Sequence, residues 1–281
     1  FQAEDGIRDR SPSRGLGDVY KRQLEDRYIE THVIKKLPAN WKVSAEAFLE
    51  AYHVLETHSE GVYTAGDANA DYDIFGDHVS RFIHTIGYTS PHIVENRPSQ
   101  QEILDILLGR KLDDNSGTVK VPEGSTAREV YARIVQEEMG EKYKSDFSDL
   151  TVTETIDSIE YFVFPNAFFF PGLTLPMVYR FRPDPVDPDY CNFDLLFLRP
   201  KPEDEPLSRP PDPVNLGVEE SYTLVDSIGS LGAIYDQDTS NLAAQTRGFK
   251  SSFKRGQTLG NYQEVRIRHL EMKVNEYISN S

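Results

Sequence analysis

Six of the seven histidines lie in the first third of the chain. Two of them, His53 and His58, share a short string with two acids, Glu46-x3-Glu50-x2-His53-x4-His58. Two neutral imidazoles plus one carboxylate, with coordination positions left open, is the ligand set of non-haem Fe(II) oxygenases, whose open positions take dioxygen and substrate. Residues five apart on a regular α-helix lie about 140° apart around the axis, so His53 and His58 can reach one metal only if the helix is distorted or ends between them. That separates the string from H-E-x-x-H, whose i, i+4 histidines share a face without distortion. Glu50, three residues before His53, lies on the same helix face. A carboxylate there would fix the ring's tautomer and raise its basicity. Glu46 is expected to cap the helix or face solvent, and Tyr52 either lines a pocket or packs in the core.

The other histidines are the competing ligands. His78 and His84 have the same parity on an alternating stretch, residues 77–87, and so share a face. His92 follows Pro91 in a loop, and His269 reads as a surface residue on the last helix. Cys191 is the only cysteine, so these 281 residues cannot form an internal disulfide, a four-thiolate zinc site or a cysteine-ligated iron-sulfur cluster.

The elements that must position these groups change period along the chain. Residues 24–40 are short and polar, ending near Pro38. Ser44 is the expected N-cap of a helix carrying Phe48, Tyr52 and Leu55 at i, i+4 and i+7. Residues 61–76 are rich in turn formers, and 77–87 read as a strand. Two further helices are expected at SQQEILDILLG and TAREVYARIVQEEMGEKYKS, starting at residues 99 and 126. Residues 154–165, 167–171, 175–182 and 190–199 then read as successive strands, joined by links too short for crossover helices, so the sheet should be antiparallel. The proline-rich stretch 201–215 reads as a surface loop, 226–248 as one long helix with Gly248 at its end, and 262–278 as a last amphipathic helix. Helices, then strands, then helices is an α+β order in one domain spanning residues 24–281.

Composition narrows the function. Net charge is -16, with 46 acids against 30 bases, a surface that repels phosphate backbones, so no nucleic-acid partner is expected. No apolar run is long enough to span a bilayer, so no membrane partner is expected and the cytoplasm is the expected location. The first 23 residues, FQAEDGIRDRSPSRGLGDVYKRQ, carry neither a helical nor a strand period and look like the translation of a sequencing adaptor. They are expected to be an artefactual or disordered tag.

NWKVSAEAFLEAYHVLETH, residues 40–58, resembles the mononuclear-iron segment of the large (α) subunits of Rieske-type aromatic-ring-hydroxylating oxygenases. Asp238 in YDQDTSNLAAQTRGFKSS, with Gln245 and Gly248 at the family's offsets, is similar to their long helix. YQEVRIRHLEMKVNEYI is similar to their closing helix. The resemblance implies a helix-grip, Bet v 1-like antiparallel sheet wrapped on a long C-terminal helix around an apolar cavity. It implies that His53, His58 and Asp238 ligate Fe(II), and that Glu50 stands where many members have an Asp linking a ligating His to the Rieske cluster of the neighbouring subunit. Asp236, about 160° away from Asp238 on a helix, is expected to be a solvated acid. Phe168, Phe170, Tyr179, Phe181 and Phe193 are expected as sheet core or cavity wall.

The same resemblance implies NAD(P)H-derived electrons delivered by a ferredoxin or a flavin reductase, and O2 used to hydroxylate or cis-dihydroxylate an aromatic or similar hydrophobic substrate in aromatic catabolism. It implies a homotrimer or an α3β3 assembly. The [2Fe-2S] Rieske cluster is expected on an upstream domain that this chain does not include, which would leave the fragment inactive alone. The alternative expectation is a redox-inactive helix-grip module that binds a hydrophobic small molecule.

Overall fold

A computed structural model describes residues 27–66, 70–112, 114, 116–201, 209–254 and 256–281. The expected tag, residues 1–23, and residues 202–208 of the expected loop lie outside them. The architecture is α+β, with helices packed on one face of an eight-stranded sheet. The strands are β1 (Arg27–Leu37), β2 (Asp71–Phe75), β3 (Val79–His84), β4 (Ser158–Val163), β5 (Ala167–Phe169), β6 (Met177–Pro183), β7 (Cys191–Pro200) and β8 (Val214–Leu216). They lie in the order β2-β3-β4-β5-β6-β7-β1-β8. Every neighbouring pair is antiparallel except β1 and β8, which run parallel.

Inward residues alternate as a pleated strand requires. Met177, Tyr179 and Phe181 of β6 face the core, together with Phe193, Leu195 and Phe197 of β7. On the outer face Asp194 is held by Arg182 at 2.5 Å, Arg180 at 3.1 Å and His32 at 3.2 Å. The aromatic strand residues Phe168, Phe170, Tyr179, Phe181 and Phe193 are all buried in the main core.

The helices are α1 (Trp41–Glu46), α2 (Val54–Thr57), α3 (Gln100–Leu107), α4 (Ala127–Tyr143), α5 (Val152–Ile156), α6 (Leu231–Ser240), α7 (Leu242–Ser251) and α8 (Val265–Ser279). Capping boxes start α3 at Ser99 and α4 at Thr126, where the sequence places them. These two helices form an insertion between β3 and β4 with its own apolar cluster of Ile103, Leu104, Ala127 and Val130. A buried ion pair, Arg128 to Asp157 at 2.6 Å, fastens the insertion to the start of β4.

Four expectations need correction. Residues 27–37 form the longest strand rather than a short polar lead. Lys35 interrupts the apolar alternation, yet it points inward and donates to the carbonyls of Gly217 at 2.8 Å, Val218 at 3.0 Å and Glu220. The turn-rich stretch 61–76 contains β2, which pairs with β3 across a tight turn. The start of the strand expected at 154–165 is helical, because Thr151 and Glu154 make a third capping box for α5. The long helix expected at 226–248 is a 3-10 turn followed by α6 and α7, broken at Asn241 and ending at Ser251 rather than Gly248.

Candidate metal centre

The string that carries His53 and His58 is not one helix. Asn40, rather than Ser44, is the N-cap: its side-chain oxygen accepts from the backbone N–H groups of Lys42 at 3.0 Å and Val43 at 2.9 Å. The helix α1 therefore starts early and ends at Glu46, and the backbone turns irregularly before α2 begins after His53. Phe48 anchors this turn, its ring 5.6 Å from Tyr179, 5.4 Å from Phe181 and 5.5 Å from Phe193. Glu50 supports the turn from its other side. One carboxylate oxygen accepts from the His53 backbone N–H at 3.0 Å, and the other meets His53 Nδ1 at 2.9 Å.

His53 thus stands at the N-terminal cap of α2 and His58 at its C-terminal cap, with ring centroids 5.5 Å apart. The regular-helix obstacle to convergence is removed by ending the helix at both histidines. Asp238, near the end of α6, completes the group. Its Oδ1 lies 2.7 Å from His58 Nε2 and 3.5 Å from His53 Nε2. One donor atom from each of His53, His58 and Asp238 lies within 4.8 Å of the others. Tyr235 and Thr239 on α6 face the core and aim Asp238 at the histidines. Gly232 lets α6 sit against the 3-10 turn at Tyr222–Leu224, since a Cβ there would meet the Thr223 backbone at 3.1 Å.

Each imidazole is held at Nδ1 by a neighbouring oxygen. For His53 the partner is Glu50; for His58 it is Gln237 Oε1 at 2.8 Å. Such bonds set the tautomer, leaving Nε2 of both rings facing Asp238. Burial alone would lower the His53 pKa, but hydrogen bonds to Asp238 and Glu50 outweigh it and carry the value up to about 10. His58 is raised for the same reason, against burial, chiefly by Asp238. Asp238 is lowered because its bonds to both histidines overcome a burial penalty that would raise it. The cluster is built to hold positive charge, and two imidazoles with one carboxylate form a donor set that fits a divalent transition metal.

The triad lies at the edge of a cavity of about 430 Å³, within the size range of small-molecule sites. Phe48, Phe82, Phe170, Met177, Tyr179 and Tyr235 supply much of its apolar wall. Glu50 also borders a second, larger groove of about 1090 Å³ on the other side of the turn, beside Lys42, Tyr52 and Glu264.

Other expected residues fall elsewhere. His84 lines the cavity from β3. His78 sits in the turn before β3, outside the strand, and bonds Tyr277 Oη at 2.8 Å. His92 is exposed. His269 is not a surface residue: it is buried, with Nε2 3.2 Å from the Gly76 carbonyl. Glu46 neither caps nor faces solvent. It is buried beside Lys42 at 3.2 Å, and burial with the neighbouring Glu271 raises its pKa to about 7. Tyr52 is exposed on the outer groove, bonding Glu264 at 3.1 Å. Asp236 turns away from the triad, as its helix phase requires, but it is not merely solvated: it accepts from Ser221 Oγ at 2.5 Å and the Tyr222 N–H at 3.0 Å.

Two supporting groups carry no sequence signal. Gln237 is an ordinary polar residue on an exposed helix face. Arg266 reads as a solvated base, yet it is fully buried on α8. It bonds Glu160 at 2.7 Å, Ser80 at 3.1 Å and the carbonyl of Leu49, next to Glu50, at 3.2 Å.

Residues 15–280 match the family model described as ring hydroxylating alpha subunit (catalytic domain). The chain belongs to that family. Its match begins inside the stretch 1–23. Solved structures of similar fold include a quaternary ammonium Rieske monooxygenase, described with carnitine oxidation by gut microbiota and inter-subunit electron transfer. It is 14% identical, with a TM-score of 0.53, over 99% of this chain and 57% of that one. Naphthalene 1,2-dioxygenase with indole bound in the active site is 13% identical, with a TM-score of 0.50, over 99% of this chain and 61% of that one. This ring-hydroxylating alpha-subunit domain therefore spans about three-fifths of the length of those solved chains. No curated protein matches it. Among the described residues no helix is long and apolar enough to cross a membrane.

Proposed function

We propose that this chain is the catalytic domain of a Rieske-type oxygenase, in which His53, His58 and Asp238 hold one Fe(II) and an aromatic or similar hydrophobic substrate enters the adjoining cavity. The observation that carries the reading is the convergence of three donor atoms within 4.8 Å at the edge of a 430 Å³ apolar space. The iron, when bound, supplies dioxygen activation for hydroxylation or cis-dihydroxylation. The chain's own residues do the rest. Glu50 and Gln237 hold the two Nδ1 protons and so keep both Nε2 atoms directed at the metal position. Phe48, Phe82 and Met177 exclude water and orient an apolar ring by shape.

Glu50 borders both the cavity and the outer groove, which supports a role in passing electrons from a [2Fe-2S] Rieske cluster on a neighbouring subunit to this site. That role requires a trimer, with or without a β subunit, and a ferredoxin or flavin reductase fed by NAD(P)H.

The test is anaerobic Fe(II) titration of the chain, with bound metal counted after desalting. About one iron per chain is expected for the wild type, and almost none for His53→Ala, His58→Ala or Asp238→Ala. Equal iron in all four proteins refutes the ligand set. An iron-free chain that still takes up hydrophobic ligands would be a redox-inactive binding module.

A further inference from the structure

Next to the cavity beside the triad is a smaller recess of about 180 Å³, lined by Phe147, Leu150, Leu173 and Leu198 together with Arg27 and Glu154. One side chain borders both spaces: Phe170. Its backbone cannot yield, because it follows β5 and its N–H donates to the Met177 carbonyl at 3.0 Å. Its ring packs on Tyr179 with centroids 4.7 Å apart and is only 4% exposed. The segment 171–176 closes around it, giving Leu175 to the inner cavity and Leu173 to the outer recess.

We infer that Phe170 is a specificity-determining wall, whose ring truncates the substrate cavity and so excludes apolar substrates with a long arm. The inference rests on the reading of the 430 Å³ cavity as the substrate site. Its physical content is that Phe170 is the residue lining both spaces, so that its ring, set against the segment 171–176, is the part of the partition that a substitution can remove. A substrate arm that reaches Phe170 gains nothing from further methylenes in the wild type. Without the ring, the arm would continue into the recess between Leu173 and Leu198 and keep burying apolar surface. Phe170 would therefore set the length of substrate accepted, independently of the ligands that hold the metal.

The test uses the whole chain and a homologous series of 4-alkylphenols, with affinity read by displacement of 1-anilinonaphthalene-8-sulfonate. Each buried methylene tightens binding roughly fourfold. The wild-type series should climb at that rate and then level off at a short alkyl chain. For Phe170→Ala the climb should continue for several more carbons, and adding Leu173→Trp to fill the recess should restore the wild-type break. Leu173→Trp alone should leave the wild-type series unchanged. If Phe170→Ala does not fold, Phe170→Leu should show the same extension over fewer carbons. A change by one equal factor at every chain length would mean that Phe170 is only core filling, and would overturn the inference while leaving the substrate site intact. Failure of the wild type to take up any alkylphenol would instead refute the cavity as the substrate site, and the inference with it.

Discussion

Two charged clusters flank the turn that carries Glu50, and they are built on opposite principles. The triad of His53, His58 and Asp238 pairs a carboxylate with titratable rings at a cavity edge, where the side chains keep 27%, 16% and 10% of their surface exposed. The pair of Arg266 and Glu160 is sealed, at 0% and 2%. Its charge is supplied by a guanidinium that does not give up its proton. Burial pushes Glu160 upward while Arg266 opposes it. The first cluster can exchange its protons for a metal ion. The second cannot, and its bond to the Leu49 carbonyl makes it a fixed post for the turn that carries Glu50.

The contrast breaks most visibly at Arg266. Arg266→Ala leaves Glu160 buried without its counter-charge, and loss of one partner of a buried pair costs about 3–5 kcal/mol. Urea unfolding should show that loss equally with and without Fe(II). The double variant Arg266→Met with Glu160→Leu should recover much of it, since a buried pair replaced by apolar side chains is often near neutral. If the single variant unfolds like wild type, the sealed pair does not hold the turn that carries Glu50.

The triad should behave in the reverse way, contributing through the ligand. At free Fe(II) one hundred times its dissociation constant, native-state binding adds about 2.7 kcal/mol to wild-type stability. The same Fe(II) should add nothing to Asp238→Ala. Thermal melts with and without anaerobic Fe(II) separate the two proteins, and an equal upward shift in both would place the metal elsewhere.

Glu50 stands between the clusters, and Glu50→Gln sharpens the comparison further. The amide keeps an acceptor for the His53 N–H but loses the charge beside Nδ1. Replacing a group that orients a metal-bound histidine typically weakens metal affinity by about 10–100-fold. A competition titration against a chelator should find a loss in that range, smaller than the loss for any of the three ligands. Unchanged affinity would reduce Glu50 to an acceptor for the His53 backbone N–H.

What the sequence made legible follows from where the controlling interactions are local. The capping boxes at Ser99 and Thr126 lie within four residues, so α3 and α4 could be read directly. The aromatic alternation of β6 and β7 could be read for the same reason. The histidine pair was legible as two candidate donors but not as a geometry. The break that ends α1 and sets His53 at the start of α2 is made by Asn40 capping, by Glu50 bonding the next turn and by Phe48 seated on the sheet, and the last of these is a contact across more than a hundred residues. Lys35 hid β1 because its partners are carbonyls near residue 218, and Arg266 hid for the same reason on α8. A charged residue reads as solvated until its distant partners are known. The placement of Asp238 opposite the two histidines came from resemblance, since no local rule connects residues 58 and 238.

Asn40 offers the smallest and most local way to test that account. If the early start of α1 determines where the helix ends, then removing the cap should disturb the metal centre without touching any group in it. Asn40→Ala removes the oxygen that serves the Lys42 and Val43 N–H groups and should cost about 1 kcal/mol in urea unfolding, while Asn40→Ser should retain most of it. Because Phe48 and Glu50 hold the turn independently of the cap, iron affinity should fall less for Asn40→Ala than for Glu50→Gln. A larger fall would mean that the helix start, rather than the Glu50 bond, sets the approach of His53 to His58. Asn40→Ala and Asn40→Ser both leave the triad and its neighbours chemically unchanged, so a difference in iron affinity between those two reports on the position of the turn alone.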